Sequence, residues 1–493
     1  MNNPDQSPGR MLIEKWQWFA GSIILVAIIV RFIAVFVAPV HIDANFYLNI
    51  GSNFIERGQV TPHMWRLDDL NIIAGSGTGY AIYLLTGWFQ LTELTLLSGR
   101  LLMFFIGLLT LPVCYRYVRN FYGHDAGLAA VTFTAVSYMF FWQFNLRMDA
   151  FGVLAYSVAL LVFSVVYQST RAWQHAWVGV VAILTAEFHI LGTVIVGMFL
   201  VYYVSAAIQH WREERRGSAL LPLVFYCIGA GITGVIYLVL HVMPDPEAYF
   251  FIAREFGPDV TLIEREAARY ALFAGFMPVE FVLFLLAIIA AYLRKTEPDR
   301  IWLTLAAGYI ISQTLIGPPF GLHYTTHIWV IVAPLVGALF ANGIRRPMPV
   351  KSRRVVAGIT LLVIMLGIRM LNLAAPARFP FSIHTTPDYT NHPAANYIRE
   401  SLPAESVIVV PTDYISFVYL TEFTDYLTVD NGELYGIRLR GETYDDFWAR
   451  EQPDAYFGND PQANPSLWDY MQANEFEQIL PELWLRPELI PPA

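Results

Sequence analysis

The sequence predicts an all-α polytopic membrane protein with a small mixed α/β domain outside the membrane at its C-terminal end. Three observations predict this. Of 493 residues, 56% are hydrophobic and only 14% charged, whereas a soluble domain carries about a quarter charged residues. Mean hydropathy is +0.46. Charge is also unevenly divided: residues 375–493 hold 19 acids against six Arg, a balance of −13, so the first 374 residues carry +4 of the overall −9. This composition excludes a disordered chain and a nucleic-acid-binding domain. Cys114 and Cys227 lie within apolar runs and build neither a disulfide framework nor a zinc knuckle.

A helix crossing a bilayer needs roughly 20 apolar residues. The first is 16–40, too long for a signal-peptide core and followed by no small-residue cleavage site. Further spans are expected near 98–118, 126–146, 149–168, 174–190, 191–209, 219–242, 270–293, 301–317, 325–342 and 354–374, eleven in all. Residues 79–90 are apolar but too short to cross, and read as interfacial or re-entrant. With the N-terminus cytoplasmic, cytoplasmic segments hold 16 cations and external ones six. A twelfth span over 79–90 would invert that bias, against the positive-inside rule. The expected placement is therefore the plasma (inner) membrane, multi-pass, with the acidic tail extracytoplasmic. The expected division is a membrane domain over 1–374, with an external loop 41–97 carrying surface helices, and an external domain over 375–493. In that tail, a helix is expected near 393–401 and a strand near 405–410, with loops dominating from Trp448 onward.

The polar residues worth weighing gather at the external ends of these spans. Asp43 follows the first span and opens a segment of helical spacing that Gly58 ends. By local sequence it is a helix N-cap with Ile42 and Tyr47 as a staple, and capping does not exclude catalysis. Arg147 and Asp149 share the short turn Asn145-Leu-Arg-Met-Asp149 between two spans. They serve either as interface anchors or as part of an external site. Glu187 and His189 lie near the outer end of another span, where an acid is either a bundle-closing partner or functional. His323 and Tyr324 follow Gly317-Pro-Pro-Phe-Gly. Arg31 lies about nine residues below the outer end of the first span, roughly 14 Å at the helical rise, placed to snorkel or to hold a lipid phosphate. In the tail, Trp448, Tyr456, Trp468 and Trp484 serve either as core or as sugar-stacking surfaces. No phosphate-binding glycine loop, zinc-protease motif or nucleophile elbow occurs in a credible context. An ion-coupled transporter would place its polar residues at the midplane and show repeats; here they lie at one face.

The order of these features resembles the C-type (GT-C) membrane glycosyltransferases, above all the protein O-mannosyltransferases and aminoarabinose lipid A transferases. The residues that carry the resemblance are the first-loop Asp43, the Arg-headed span Ser98-Gly-Arg-Leu-Leu, the cytoplasmic Tyr115-Arg-Tyr-Val-Arg-Asn-Phe-Tyr-Gly and the turn ending in Asp149. It extends over about 16–210 and more loosely over 211–374 through His323-Tyr324 and Pro334. It implies inverting transfer of a sugar from a polyprenyl-phosphate donor to a hydroxyl of a lipid, polysaccharide or protein acceptor at the outer face. Asp43 matches the family's proposed general base and Asp149 its second-loop acid. Arg147, Arg31, His323 and Tyr324 become candidates for the donor phosphate. Asp43, Asp149, Glu187 and His189 would suit a divalent cation, Mg or Mn, although an arginine-assisted mechanism needs none. Two departures are visible. Ala44 stands where many relatives carry a second acid, and Gly75-Ser-Gly-Thr-Gly-Tyr80 where many carry Lys-Pro-Pro. The alternatives are a transporter or flippase of lipid-linked sugars, and an inactive lipid-binding relative.

Overall fold

The computed structural model describes residues 8–37, 43–66, 78–137, 146–189, 191–214, 217–255, 261–316, 325–345, 392–411, 426–428, 437 and 440–490. Among these residues, five helices are long and apolar enough to cross a bilayer, or six if one bent pair counts as a single span. The expected spans 98–118, 149–168, 191–209, 219–242, 301–317 and 325–342 fall on helices; parts of 16–40, 126–146 and 174–190, and all of 354–374, lie outside the described residues. The expected boundary near 374 also lies outside them.

The first helix, Pro8–Val37, shows how the bundle is built. Ala20, Ala27 and Ala34 recur every seventh residue and are buried, while Trp18, Leu25, Val26, Ile29 and Ile33 stay exposed as a lipid-facing side. Small residues on the inner face let neighbouring helices approach closely, which matters where lipid removes the hydrophobic drive. The largest core cluster joins this helix to Leu96–Tyr122, His124–Val136, Asp149–Val166, Gly192–Glu214 and Thr325–Arg345, with Tyr117, Tyr156, Phe163, Trp302 and Trp329 among its buried rings.

The expected straight span at 270–293 is corrected. Leu262–Phe276 and Pro278–Arg294 meet at 110°. Pro278 has no N–H to continue the ladder, so it begins a new helix at its first turn instead. Within residues 79–90 the helix Ile82–Leu91 is ten residues long, too short to cross, and packs with Asp43–Arg57.

In the C-terminal part of the chain a five-stranded sheet forms in the order β2-β1-β3-β5-β4, with β1 at Ile408–Val410, β2 at Tyr426–Thr428, β3 at Ala455–Phe457, β4 at Glu477–Leu480 and β5 at Leu483–Leu485. The two pairings of β1 are parallel and the β3–β5 and β5–β4 pairings antiparallel. Strand alternation sorts the core. Ile408, Val410, Ala455 and Phe457 face the helix Pro393–Ser401 and Met64 of the first loop. Val409 and Tyr456 face the helices Tyr444–Glu451 and Pro465–Ala473. The reading that loops dominate beyond Trp448 is therefore corrected. Short regular elements fill that stretch, too brief to announce themselves by period. Trp448 and Tyr456 are core residues, each 2% exposed.

Candidate active site

Four of the residues singled out by sequence converge at one end of the bundle. Asp43 opens the surface helix Asp43–Arg57, as expected. Arg147 sits in the turn before Asp149, the first residue of the span Asp149–Val166. That position favours an anion, because the helix N-terminus presents unpaired N–H groups. Arg147 bridges the two acids: its Nε lies 2.6 Å from Asp149 Oδ2, and its Nη1 pairs with Asp43 Oδ2. The Arg147 and Asp149 side chains are only 6% and 4% exposed, while Asp43 is 35% exposed. The cluster thus has a buried back and one accessible carboxylate.

Behind Asp149 stands His189, with Nε2 3.4 Å from Asp149 Oδ1. His327, which sequence reading missed, completes the group. Its ring centroid is 4.9 Å from that of His189. Potential ligand atoms of Asp149, His189 and His327 all lie within 4.8 Å of one another, and all three residues are buried. Gly152 makes room for them: a Cβ there would stand 2.7 Å from His189 Cβ and 2.9 Å from His327 Nε2. The only signal for His327 in the sequence is its position one helical turn beyond His323, and nothing local says which side chains it meets.

One carboxylate and two imidazoles form a donor set suited to Mn, Fe or Zn better than to Mg, which prefers oxygen ligands. As the site stands, the Leu191 N–H donates to His189 Nδ1 at 3.2 Å, which leaves the proton on Nε2. Ligation through Nε2 would require the other tautomer and the loss of that one long hydrogen bond.

Two expected members engage other partners. Arg31 donates from Nε and Nη2 to the Ala135 carbonyl at 3.1 and 2.7 Å, and from Nη2 to Ser137 at 3.3 Å. It satisfies carbonyls at the C-terminal end of His124–Val136, where a cation is favoured. Glu187 accepts from the Tyr80 N–H at 2.9 Å and from His241 Nε2 at 2.7 Å, while its carbonyl takes the Gly79 and Ala81 N–H groups. A π-helical turn at Leu238–Val242 delivers His241 to this contact. Glu187 therefore fastens the segment 78–81 to the bundle. Gly79 suits this contact, because a Cβ would fall 2.8 Å from the Glu187 Cα. His323 and Tyr324 lie outside the described residues.

The first-helix loop and the C-terminal sheet region are linked. Arg66, in the loop after the Asp43 helix, places Nε 2.6 Å from Glu451 Oε2, with both side chains 6% exposed.

Comparison with known proteins agrees with this architecture. Residues 80–237 match the family model of dolichyl-phosphate-mannose-protein mannosyltransferase. No curated protein matches the chain by sequence. Among solved structures, ArnT from Cupriavidus metallidurans bound to undecaprenyl phosphate superposes with a TM-score of 0.62 at 13% identity, covering 96% of this chain and 99% of that one. The oligosaccharyltransferase AglB from Archaeoglobus fulgidus, in complex with an inhibitory peptide and a dolichol-phosphate, superposes with a TM-score of 0.54 at 12% identity, covering 96% and 75%. The chain has the GT-C fold of these multi-pass membrane glycosyltransferases.

Proposed function

We propose that this chain is an inverting glycosyltransferase that moves a sugar from a polyprenyl-phosphate donor to an acceptor hydroxyl at the outer face of the plasma (inner) membrane. The observation that carries the reading is the half-open Asp43 carboxylate, oriented from behind by a buried arginine, in a chain whose fold is shared with structures holding undecaprenyl phosphate and dolichol-phosphate.

In this reaction the acceptor oxygen attacks the anomeric carbon. The carbon–oxygen bond to phosphate breaks, its electron pair leaves with the polyprenyl phosphate, and the acceptor proton passes to Asp43. A carboxylate so placed contributes on the order of 10²–10⁴-fold as a general base. Arg147 holds the Asp43 carboxylate in one orientation, and Asp149 holds Arg147.

The charge count of this cluster bears on the leaving group. Two carboxylates share one guanidinium, so the group is −1 with neutral histidines. A departing phosphate needs added positive charge. A divalent cation on Asp149, His189 and His327 would supply it, which is our reading of the cofactor; His323 and Tyr324 remain proposed donor-side residues.

The test is transfer from labelled polyprenyl-phosphate sugars to a cell-envelope extract by purified protein. Wild type should release label from the carrier, and Asp43→Asn should lose at least a hundredfold while still binding carrier, as expected of a general base. Carrier bound but never consumed by wild type would point to an inactive relative. Movement of intact carrier across vesicles would point to a flippase.

A further inference from the structure

The C-terminal domain contains a second concavity, built by the packing of two short helices. Tyr444–Glu451 is opened by a capping box between Thr443 and Asp446, and Pro465–Ala473 by Asn464, whose Oδ1 accepts from the Leu467 N–H at 3.0 Å. Their inner residues Phe447, Leu467 and Met471 pack against the sheet, and Trp448 packs there while also bordering the space between the helices. Between the helices remains a cleft of about 750 Å³, lined by Tyr444, Asp445, Trp448, Ser466, Asp469 and Tyr470 among others. That volume falls in the range of roughly 300–1,000 Å³ typical of ligand sites.

The floor of the cleft is fixed. Trp448 Nε1 donates to Ser466 Oγ at 3.1 Å, and the Trp448 and Tyr470 rings lie 5.9 Å apart. Arg486 holds Tyr470 by a hydrogen bond to its hydroxyl at 2.5 Å, with the guanidinium 6.0 Å over the ring. The walls are open. Tyr444 is 53% exposed. Asp445 and Asp469 are exposed and, among the described residues, engage no hydrogen bond or ion pair.

We propose that this cleft binds glycan chains, neutral or amino-bearing, and rejects anionic ones. An aromatic face takes the apolar C–H side of a pyranose ring. Two carboxylates accept strong hydrogen bonds from its hydroxyls. The same carboxylates, in a tail with a balance of −13, repel uronic or phosphorylated sugars. The role of the bound glycan as acceptor rests on the glycosyltransferase reading above; the binding itself does not. The cleft is also tied to the membrane layer. Helix Tyr444–Glu451 begins at the cleft and ends at Glu451, which pairs with Arg66 of the first loop, roughly 10 Å further along the helix at its usual rise.

The experiment uses the full chain in nanodiscs, with saturation-transfer NMR and tryptophan fluorescence as readouts. The probes are maltotriose, a chitosan trimer and trigalacturonate. Maltotriose and the chitosan trimer should bind saturably and trigalacturonate should not. Tyr444→Ala and Asp469→Asn, both changes at exposed side chains, should each weaken binding about tenfold, the ratio set by one lost contact of about 1.4 kcal/mol. Absence of saturable binding, equal binding of trigalacturonate, unchanged affinity in both variants, or displacement of the sugars by an oligolysine peptide at lower concentration would each overturn the proposal. Asp43→Asn should bind the trisaccharides as wild type does. If wild type binds glycan but transfers nothing, the transferase reading fails alone. If transfer proceeds without cleft binding, only the cleft proposal fails.

Discussion

Replacing Arg147 by Met tests the arrangement at its centre. The guanidinium is 6% exposed and carries two ion pairs, with Asp149 at 2.6 Å and with Asp43. At an effective dielectric of 20, opposite charges about 4 Å apart attract by about 4 kcal/mol. The Asp43 leg is 35% exposed and screened, so it weighs less. The Asp149 leg is desolvated, and removing its partner strands a buried carboxylate. Breaking such a pair costs about 3–5 kcal/mol. Arg147→Met should therefore lower unfolding free energy by about that amount in mixed micelles. Arg147→Lys should recover only part of it, because one ammonium cannot present the planar fork that two carboxylates share. The decisive comparison is Arg147→Met with Asp149→Asn added. Neutralising the stranded acid should return part of the lost stability, so the two changes should be non-additive by more than about 0.5 kcal/mol. Strict additivity would refute the claim that Arg147 is held chiefly by the buried acid.

Three further outcomes follow from the geometry. Gly152→Ala places a Cβ 2.7 Å from His189 Cβ; it should cost about 1–3 kcal/mol as overpacking and reduce metal content, measured by elemental analysis, in parallel with His327→Ala. Unchanged metal content in both variants would remove the cation from the reading. Glu451→Ala breaks the buried pair with Arg66 and should cost about 3–5 kcal/mol, seen as faster proteolytic release of the C-terminal domain with the membrane part intact. Gly79→Ala collides with Glu187 and should loosen the segment 78–81; faster hydrogen exchange at the Tyr80 and Ala81 amides would confirm it, and unchanged exchange would show that Glu187 does not fasten it.

Local chemistry in the sequence determined much of this protein. Apolar length and the lack of charge marked the spans, because a bilayer admits little else. Asp43 at a helix start, Arg147 and Asp149 in one tight turn, and Gly58 at a helix end are all readable within a few residues. What only the tertiary structure decided are pairings between distant elements. Arg31 meets carbonyls a hundred residues away, and Glu187 meets Tyr80 and His241. His327, on the helix Thr325–Arg345, meets His189, in the connection before Gly192–Glu214, where Gly152 of a third element leaves room for both. Periodicity says which face of a helix is buried; it does not say what that face is buried against. Pairwise contacts across a bundle depend on helix rotation and crossing, and these are set by the packing of every helix at once.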